Sequence, residues 1–191
     1  EMLIRRWEGL RGRRGNWEAL WRDAAQWILT RRMPIGGKLS PGANRDIQVF
    51  DSLALRSCEK LASGLFSYMC PPNEVWFKIR SPSREVMNDE AAQFWFGAVS
   101  SIIREALYLS NFVVEIHEAF MDLGAFCTAN VYIGEGRQSP LTFRCIHIND
   151  YCIDENFEGV VDVVFRRIPL TIRQIVQEFG IESLSDEMKR C

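Results

Sequence analysis

The chain has 191 residues, of which 47% are hydrophobic and 25% are charged. These ordinary globular values exclude bulk disorder, and no apolar run approaches the roughly 20 residues that a membrane-spanning helix needs. The formal net charge of -2 is unevenly spread, because residues 1–45 hold ten basic and four acidic residues. The start of the chain has no signal-peptide core and the six cysteines form no CxxC pair, so we expect a cytosolic protein with reduced thiols.

The first part of the chain predicts basic helices followed by a loop. Residues 1–15 are rich in arginine and interrupted by glycine, which indicates a frayed helix or an arm. Asn16 is a plausible N-cap for an amphipathic helix that runs to about Arg32 and ends before Pro34. A loop rich in turn-forming residues should then extend to residue 46.

A second amphipathic helix should begin at Asp51, because apolar residues recur at helical spacing as far as Met69. Pro71 and Pro72 must stop this helix, since proline lacks the amide donor and clashes with the preceding turn. The aromatic run at 75–79 that follows is typical of a short strand.

The two most apolar helices come next. The first should run from about Asn88 to Leu109, and so much of its circumference is apolar that we expect it to be covered on more than one side. Asn111 is placed to cap the second helix, which starts at Phe112 and should stop at Gly124.

After these helices the hydrophobic period changes from about 3.6 toward about 2, which indicates strands. We predict four strands, joined as an antiparallel meander, at 130–133, 141–146, 151–154 and 160–167. Thr171 and Gln174 match a capping box that opens a short helix to Phe179, which Gly180 ends. A further helix should follow at 183–190.

Helices first and strands later predict an α+β fold. In this fold, amphipathic N-terminal helices pack with an antiparallel β meander and a short closing helix. We place a basic helical arm and loop at 1–46 and an α+β domain at 47–191, continuous with the helix at 16–32.

Candidate chemistry is sparse. Cys145 and His147 lie close in sequence and leave open a cysteine nucleophile or a zinc site, but their spacing matches no known ligand pattern. The Gly-Gly-Lys run at 36–38 lacks the serine or threonine that completes a phosphate-binding loop. We therefore predict no catalytic residue, no metal and no cofactor, and keep a cytosolic enzyme that uses Cys145 and His147 as an alternative.

An N-terminal arginine cluster gives a second alternative. Its members are Arg5, Arg6, Arg11, Arg13 and Arg14. Such a cluster contacts nucleic-acid phosphates by releasing counterions, which favours a nucleic-acid-binding module. A solvated helix face is the plainer interpretation of the same charges.

A series of short landmarks runs in order from Trp17 to Phe179. It includes Asp51, Leu61, Ala62, Ser63, Gly64, Leu65, Pro71, Pro72, Trp76, Phe77, Asn111, Phe112, Gly124, Gly159, Arg166 and Arg167. Each short string is weak alone, but their ordered succession over most of the chain resembles the portal proteins, or head-to-tail connectors, of short-tailed phages. The run at 124–129 is bulkier than the small-residue run expected there.

The resemblance implies a structural protein with no catalytic residues. Portal proteins assemble as a dodecameric ring at one capsid vertex, and double-stranded DNA passes through this ring during packaging and ejection. The resemblance implies a terminase motor, tail adaptor proteins and capsid proteins as partners, without a membrane. It also implies a location in the virion, with assembly in the host cytoplasm. Members of the family are longer than this chain, so we expect an N-terminal portion similar to the outer wing region.

Overall fold

The computed structural model describes residues 2–37, 51–136, 139–185 and 188. Its helices are α1 (Met2–Arg13), α2 (Gly15–Trp27), α3 (Leu53–Met69), α4 (Arg84–Asn88), α5 (Glu90–Leu109), α6 (Phe112–Phe126) and α7 (Ile172–Phe179). Its strands are β1 (Val131–Glu135), β2 (Leu141–Cys145), β3 (Tyr151–Glu155) and β4 (Val161–Arg166). Short 3-10 turns lie at Thr30–Arg32, Ile148–Asp150 and Ile181–Ser183. The predicted α+β fold is confirmed.

The chain divides into two units, residues 1–149 and residues 150–191. The domain boundary predicted after residue 46 lies outside the described residues, as do most of the predicted loop and much of the helix predicted at 183–190. Within the described ranges, none of the helices is both long enough and apolar enough to cross a bilayer.

The most extensive contact between helices of the first unit joins α3 and α6. Cys58 of α3 is buried there, and its Sγ donates to the Met121 carbonyl at 3.6 Å. A Cβ added to Gly124 would lie 3.2 Å from Leu61 Cδ2, so this glycine lets the two helices approach closely. The prediction that Gly124 ends its helix is therefore wrong. The helix continues to Phe126 and ends because the next residue adopts a left-handed conformation.

An aromatic cluster joins the helices to the first hairpin. Phe112 stacks on Trp76 with ring centroids 6.2 Å apart, and it meets Phe143 edge to face at 5.2 Å. The Trp76 indole donates to the Tyr108 hydroxyl at 3.3 Å, and that hydroxyl donates to the Pro71 carbonyl at 3.3 Å. These two hydrogen bonds hold Pro71 and Trp76 against Tyr108 of α5.

Pro71 and Pro72 follow the end of α3, as predicted, but the strand predicted at 75–79 is wrong. The segment forms no strand, and the Ile79 amide donates instead to Ser100 Oγ at 3.0 Å. Aromatic residues are frequent in strands because they pack well on a half-buried surface, and here helices provide that surface.

The ends of two helices also differ from the prediction. The α2 helix begins at Gly15 rather than after Asn16, and it ends at Trp27 because Leu29 leaves the helical conformation and becomes completely buried. The long helix predicted from about Asn88 to Leu109 is present as α5, which begins at Glu90, and the short helix α4, which was not predicted, precedes it. Asp89 separates them, and its carboxylate accepts the Ala91 amide as the N-cap of α5.

The predicted meander resolves into two separate antiparallel hairpins. Tyr132 lies opposite Arg144 in the β1–β2 hairpin, and Ile153 lies opposite Val164 in the β3–β4 hairpin. Strands β2 and β3 do not pair among the described residues. On the β2 side the reason is local, because the side chains of Asn111, which precedes α6, and Glu115 of α6 occupy the outer edge of that strand.

In the second unit, the Arg167 guanidinium pairs with Asp150 at 2.8 Å, and the Arg167 amide donates to the Asp150 carbonyl at 2.7 Å. The capping box is complete: the Thr171 side chain accepts the Gln174 amide, and the Gln174 side chain accepts the Thr171 amide. Gly180, with φ of +80°, ends α7. The sequence prediction for this helix is confirmed at both ends.

Candidate functional site

Four of the five predicted nucleic-acid arginines lie on α1 and are exposed, and the fifth follows the helix. These residues are Arg5, Arg6, Arg11, Arg13 and Arg14. The Arg14 guanidinium lies 4.9 Å from the centroid of the Trp21 ring and donates to the Ile148 carbonyl at 2.9 Å. Arg14 therefore joins parts of the first unit, while the α1 arginines form a basic surface that stays a predicted nucleic-acid contact.

A buried ion-pair cluster fastens the segment after α2 to α6. Asp122 is only 2% exposed, and Arg32 donates from Nε to Oδ1 and from Nη2 to Oδ2, both at 2.8 Å. Glu118, one helical turn earlier, pairs with both Arg31 and Arg32. A two-point arginine–carboxylate pair is among the stronger charge-assisted contacts in proteins, and it also fixes the relative orientation of the groups.

Burial and charge oppose each other in this cluster. Burial raises the pKa of Asp122, and the attraction of Arg32 works against that change. Burial acts to lower the pKa of Arg32, but the charge and hydrogen bonds of Asp122, together with the charges of Cys145 and Glu118, leave the pKa raised. Both oxygens of the Asp122 carboxylate accept guanidinium donors at 2.8 Å, and this arrangement favours the deprotonated carboxylate. The pair is therefore ionised at neutral pH.

Cys145 lies beside this ion pair. Its Sγ is 3.4 Å from Asp122 Oδ2 and 3.4 Å from Arg32 Nη2. Burial, followed by the negative charge of Asp122, raises the pKa of Cys145 to about 12. A nucleophilic cysteine needs a lowered pKa, because the thiolate is the reactive form. The environment of Cys145 is opposite to the one that the enzyme hypothesis requires.

The His147 ring holds the segment that follows α2. Its Nε2 lies 2.8 Å from the Arg32 carbonyl, and its Nδ1 accepts the Asn149 amide at 3.2 Å. This pair of contacts places the proton on Nε2. The Asn149 side chain continues the attachment by donating to the Pro34 carbonyl and accepting the Gly36 amide. Among the described residues, no group of three potential metal-ligating side chains is placed to hold an ion.

The signature residue Asn111 pairs with a strand rather than capping its own helix. Its side-chain amide donates to the Phe143 carbonyl at 2.7 Å and accepts the Phe143 amide at 2.8 Å. Glu115, one turn further along α6, accepts the Cys145 amide at 2.6 Å. The two side chains imitate a neighbouring strand, so they close the outer edge of β2 to further pairing.

The signature residues on α3 have different environments. Ala62 is completely buried and Leu65 is half-buried. Ser63 Oγ lies 3.3 Å from His117 Nε2 at the surface. Among the described residues, a Cβ added to Gly64 would meet no atom within 4 Å, so close packing against them does not require a glycine here.

Other signature residues shape turns and helix starts. Asp51 accepts an amide from the first turn of α3. Gly159 has φ of +76° in the turn between β3 and β4, a conformation that favours glycine. Phe77 packs edge to face on Trp76 at 4.7 Å, and Arg166 is the last residue of β4.

Sequence reasoning missed the functions of Glu115, Glu118 and Asp122. A signal was present, because Asp122 interrupts the apolar run at 119–126 and a buried carboxylate needs a cation. The partner was not readable, since Arg32 lies 90 residues earlier in the chain.

Two helices present apolar stripes that the described residues leave uncovered. On α5 the stripe contains Phe94, Trp95, Ile102 and Leu109, which are between 57% and 81% exposed. On α2, Trp17, Leu20 and Trp27 are exposed on one face. Monomeric proteins rarely expose contiguous apolar surface of this kind, which is typical of a protein–protein interface.

Every polar cluster described above joins elements of the fold, which is typical of a structural protein. The chain belongs to the family of bacteriophage head to tail connecting proteins, whose model matches residues 1–191. The resemblance predicted from the ordered landmarks is thereby confirmed.

Two curated relatives are described as portal proteins. Over 187 residues the chain is 25% identical to a probable portal protein of Bordetella phage BPP-1, and the match covers 97% of this chain and 34% of that protein. Over 193 residues it is 27% identical to a portal protein of Salmonella phage epsilon15, with 99% and 34% covered. The chain thus spans about a third of the length of the curated relatives it matches.

Proposed function

We propose that the protein is a portal subunit, the head-to-tail connector of a phage or prophage capsid, and that its copies form a ring through which DNA is packaged and ejected. The observation that carries this proposal is the family match over residues 1–191, together with two relatives described as portal proteins. The described residues would supply a wing-like portion of each subunit.

The apolar stripe on α5 supports a structure built from several copies. The stripe was predicted to be covered, but Trp95 and Ile102 are 57% and 64% exposed in the single chain. Exposed tryptophan is enriched among the residues that contribute most to protein–protein binding. Side-by-side packing of subunits would cover this stripe.

The proposal includes the partners and the location of a portal. The ring would be a dodecamer at one capsid vertex of the virion, assembled in the host cytoplasm. A terminase motor would dock on it during packaging and tail adaptor proteins afterwards, with capsid proteins around it. Double-stranded DNA would pass through the ring, and no membrane would take part.

The proposed role is structural and includes no catalytic step. The raised pKa of Cys145 supports this, because a thiol protonated at neutral pH is a poor nucleophile. The hydrogen bonds of His147 to the segment after α2 give that residue a structural function as well.

The test is the oligomeric state of the protein produced from its natural coding sequence. We expect negative-stain images and native mass spectrometry to give a closed ring. The substitution Trp95→Asp should weaken assembly, whereas Lys60→Asp, at an exposed polar position on α3, should not. A protein that stays monomeric at all protein and salt concentrations would contradict the proposal.

A further inference from the structure

We propose that the apolar stripe of α5 in one copy packs against the apolar stripe of α2 in the next copy of the same protein. This inference rests on the proposed ring, because it names the two surfaces that would meet where neighbouring subunits join.

The exposed face of α5 has the residue spacing of a helix that pairs with another helix. Steps of four and three residues alternate along it, through Ala91, Trp95, Ala98, Ile102, Glu105 and Leu109. All six are exposed, whereas Ser100, on the opposite side of α5, is buried and accepts the Ile79 amide. An apolar repeat of about 3.5 residues is typical of helices that pack side by side, with knobs of one helix in holes of the other. The face is therefore fitted to a helix.

Helix α2 offers a stripe of the same kind. Steps of three, four and three residues separate its members, which are Trp17, Leu20, Ala24 and Trp27. Leu20 and both tryptophans are between 53% and 59% exposed, and Ala24 is half-buried. At about 1.5 Å per residue, this stripe is about 15 Å long and the exposed face of α5 is about 27 Å long. The whole α2 stripe therefore fits along α5.

Large and small side chains alternate in both stripes. On α5, Ala98 lies between Trp95 and Ile102 in the alternating spacing, and on α2 an alanine lies between Leu20 and Trp27. Large side chains placed opposite small ones let two helices interdigitate closely. The sizes of the side chains thus suit a pairing of the two helices.

Contacts within each copy hold the tryptophans of both stripes. Trp17 stacks on Trp21 with ring centroids 6.4 Å apart, and Trp95 meets Phe96 edge to face at 5.2 Å. Side chains that are already ordered lose less conformational entropy on binding. Tryptophan is also enriched among the residues that contribute most to binding, so these side chains are suited to be anchors.

The two stripes are large enough to form the centre of an interface. An aromatic side chain buries about 150–250 Å², so the four exposed aromatic residues of the two stripes offer roughly 500 Å². A stable interface buries about 1,200–2,000 Å² in total. The aliphatic members of the stripes and the residues beside them would supply the remaining area.

The proposed ring favours the pairing of two different helices. Packing α5 on α5 of another copy is an isologous contact, which closes a pair of copies and leaves the α2 stripe uncovered. Packing α5 on α2 is heterologous, and repeated heterologous contacts close into a ring when the rotation between copies allows it. One type of contact then covers both stripes in every copy. The occupant of the α5 stripe is therefore α2 of the next copy.

The first experiment is photo-crosslinking in the assembled protein produced from its natural coding sequence. Trp95 is replaced by benzoylphenylalanine, and isotopically light and heavy copies are mixed so that crosslinks between copies are recognised by mass. We expect crosslinks from position 95 to residues 15–27 of a different copy. The matched control is the same replacement at Tyr68, an exposed aromatic residue of α3, which should give no crosslinks to α2.

Three results of this experiment would overturn the inference. Crosslinks from position 95 that stay within one copy would mean that another part of the same chain covers α5. Crosslinks to a different surface of the neighbouring copy would give α5 another partner. Assembled rings without any crosslink from position 95 would leave the stripe outside the subunit contact.

The second experiment mixes two variants that should each fail to assemble alone. Ile102→Lys places a cation in the α5 stripe, and Leu20→Asp places a carboxylate in the α2 stripe. Each should raise the concentration needed for half-assembly by about tenfold or more, because a charge is then buried without a partner. Both positions are more than half exposed in the single chain, so each variant should keep its fold.

An equal mixture of the two variants should assemble again. When the variants alternate around a ring, one contact brings the new lysine against the new aspartate and the next joins two unmodified stripes. The proposed dodecamer has an even number of subunits and allows this alternation. An isologous contact between α5 helices would gain nothing from the mixture. The control is Ser57→Lys, at an exposed position on α3, which should assemble like the parent. A mixture that assembles no better than either variant would overturn the inference.

The outcomes separate this inference from the proposed function. If the unmodified protein forms no ring, the portal proposal fails. If it forms a ring that neither substitution weakens, or whose crosslinks from position 95 miss α2, only the contact between α5 and α2 fails.

Discussion

Arg32 and Asp122, 90 residues apart in sequence, form a two-point ion pair with both donor–acceptor distances at 2.8 Å. Asp122 is almost completely buried, and Arg32 keeps only a small exposed fraction of its side chain. The pair joins the segment after α2 to the middle of α6. It therefore contributes to the attachment of the N-terminal helices to the rest of the first unit.

Removing one partner should be much more damaging than removing both. Asp122→Ala should lower the free energy of unfolding by about 3–5 kcal/mol, because it leaves a buried guanidinium without its counter-charge. The double variant Arg32→Met with Asp122→Leu should lose far less unfolding free energy, because neither a guanidinium nor a carboxylate then has to be buried. Urea denaturation of the three proteins measures the difference.

Arg31→Ala is the matched control for this series. Arg31 pairs with Glu118 from a side chain that is 42% exposed. An exposed pair contributes about 0–1 kcal/mol, so this variant should stay close to the parent. Equal losses in Arg31→Ala and Asp122→Ala would contradict the assignment of the buried pair as the main attachment.

The sequence predicted local structure well and long-range polar contacts poorly. The capping box at Thr171 was readable, because both partners lie within four residues. The Arg32–Asp122 pair was not, because no local pattern tells which of the many arginines faces a given carboxylate. Trp76 was misassigned to a strand for a related reason, since its packing surface comes from distant helices.

Cys145 should make the stability of the protein fall at alkaline pH. Its folded pKa of about 12 lies above the value of about 8.5 for an unfolded thiol. The folded state thus holds this proton more tightly, and the stabilisation is complete below pH ~8.5 and is lost as pH rises toward ~12. Cys145→Ala should therefore show a smaller loss of unfolding free energy over this range than the parent.

Cys127, which is exposed, provides the comparison. Cys127→Ala should keep the alkaline loss of the parent, and Cys127 should react with iodoacetamide at least about tenfold faster than Cys145 near pH 8, because only thiolates react. The rates are measured by mass spectrometry of the alkylated peptides. Faster alkylation of Cys145 would instead revive the enzyme hypothesis.

Asn111 should protect one backbone amide of β2 by its side chain alone. Asn111→Ala removes both hydrogen bonds to Phe143, and we expect a loss of about 1–3 kcal/mol because a strand edge is left unpaired beside α6. Hydrogen exchange of the Phe143 amide should become faster. Exchange of the Arg144 amide should change less, because Arg144 lies opposite Tyr132 in the β1–β2 pairing. Ser63→Ala, which removes an exposed hydroxyl contact, is the control variant.

The position of Asn111 explains why the predicted meander became two hairpins. Sequence patterns indicate where strands lie, but pairing depends on which edges are already occupied. Here Asn111 and Glu115 occupy the edge of β2 that a third strand would need. No period or turn signal in the strands themselves carries that information.

Gly124 and Gly64 should respond in opposite ways to a side chain. Gly124→Val should lower the unfolding free energy by about 1–3 kcal/mol, because its Cβ would lie 3.2 Å from Leu61 Cδ2 where α3 and α6 meet. Gly64 lies on α3, and no described atom lies within 4 Å of an added Cβ. Gly64→Ala should therefore raise the unfolding free energy by about 0.5–1 kcal/mol, because alanine reduces the entropy of the unfolded chain. Thermal and urea denaturation measure both. Leu61→Ala should partly restore Gly124→Val, and a Gly124→Val protein as stable as the parent would show that the helices separate at no cost.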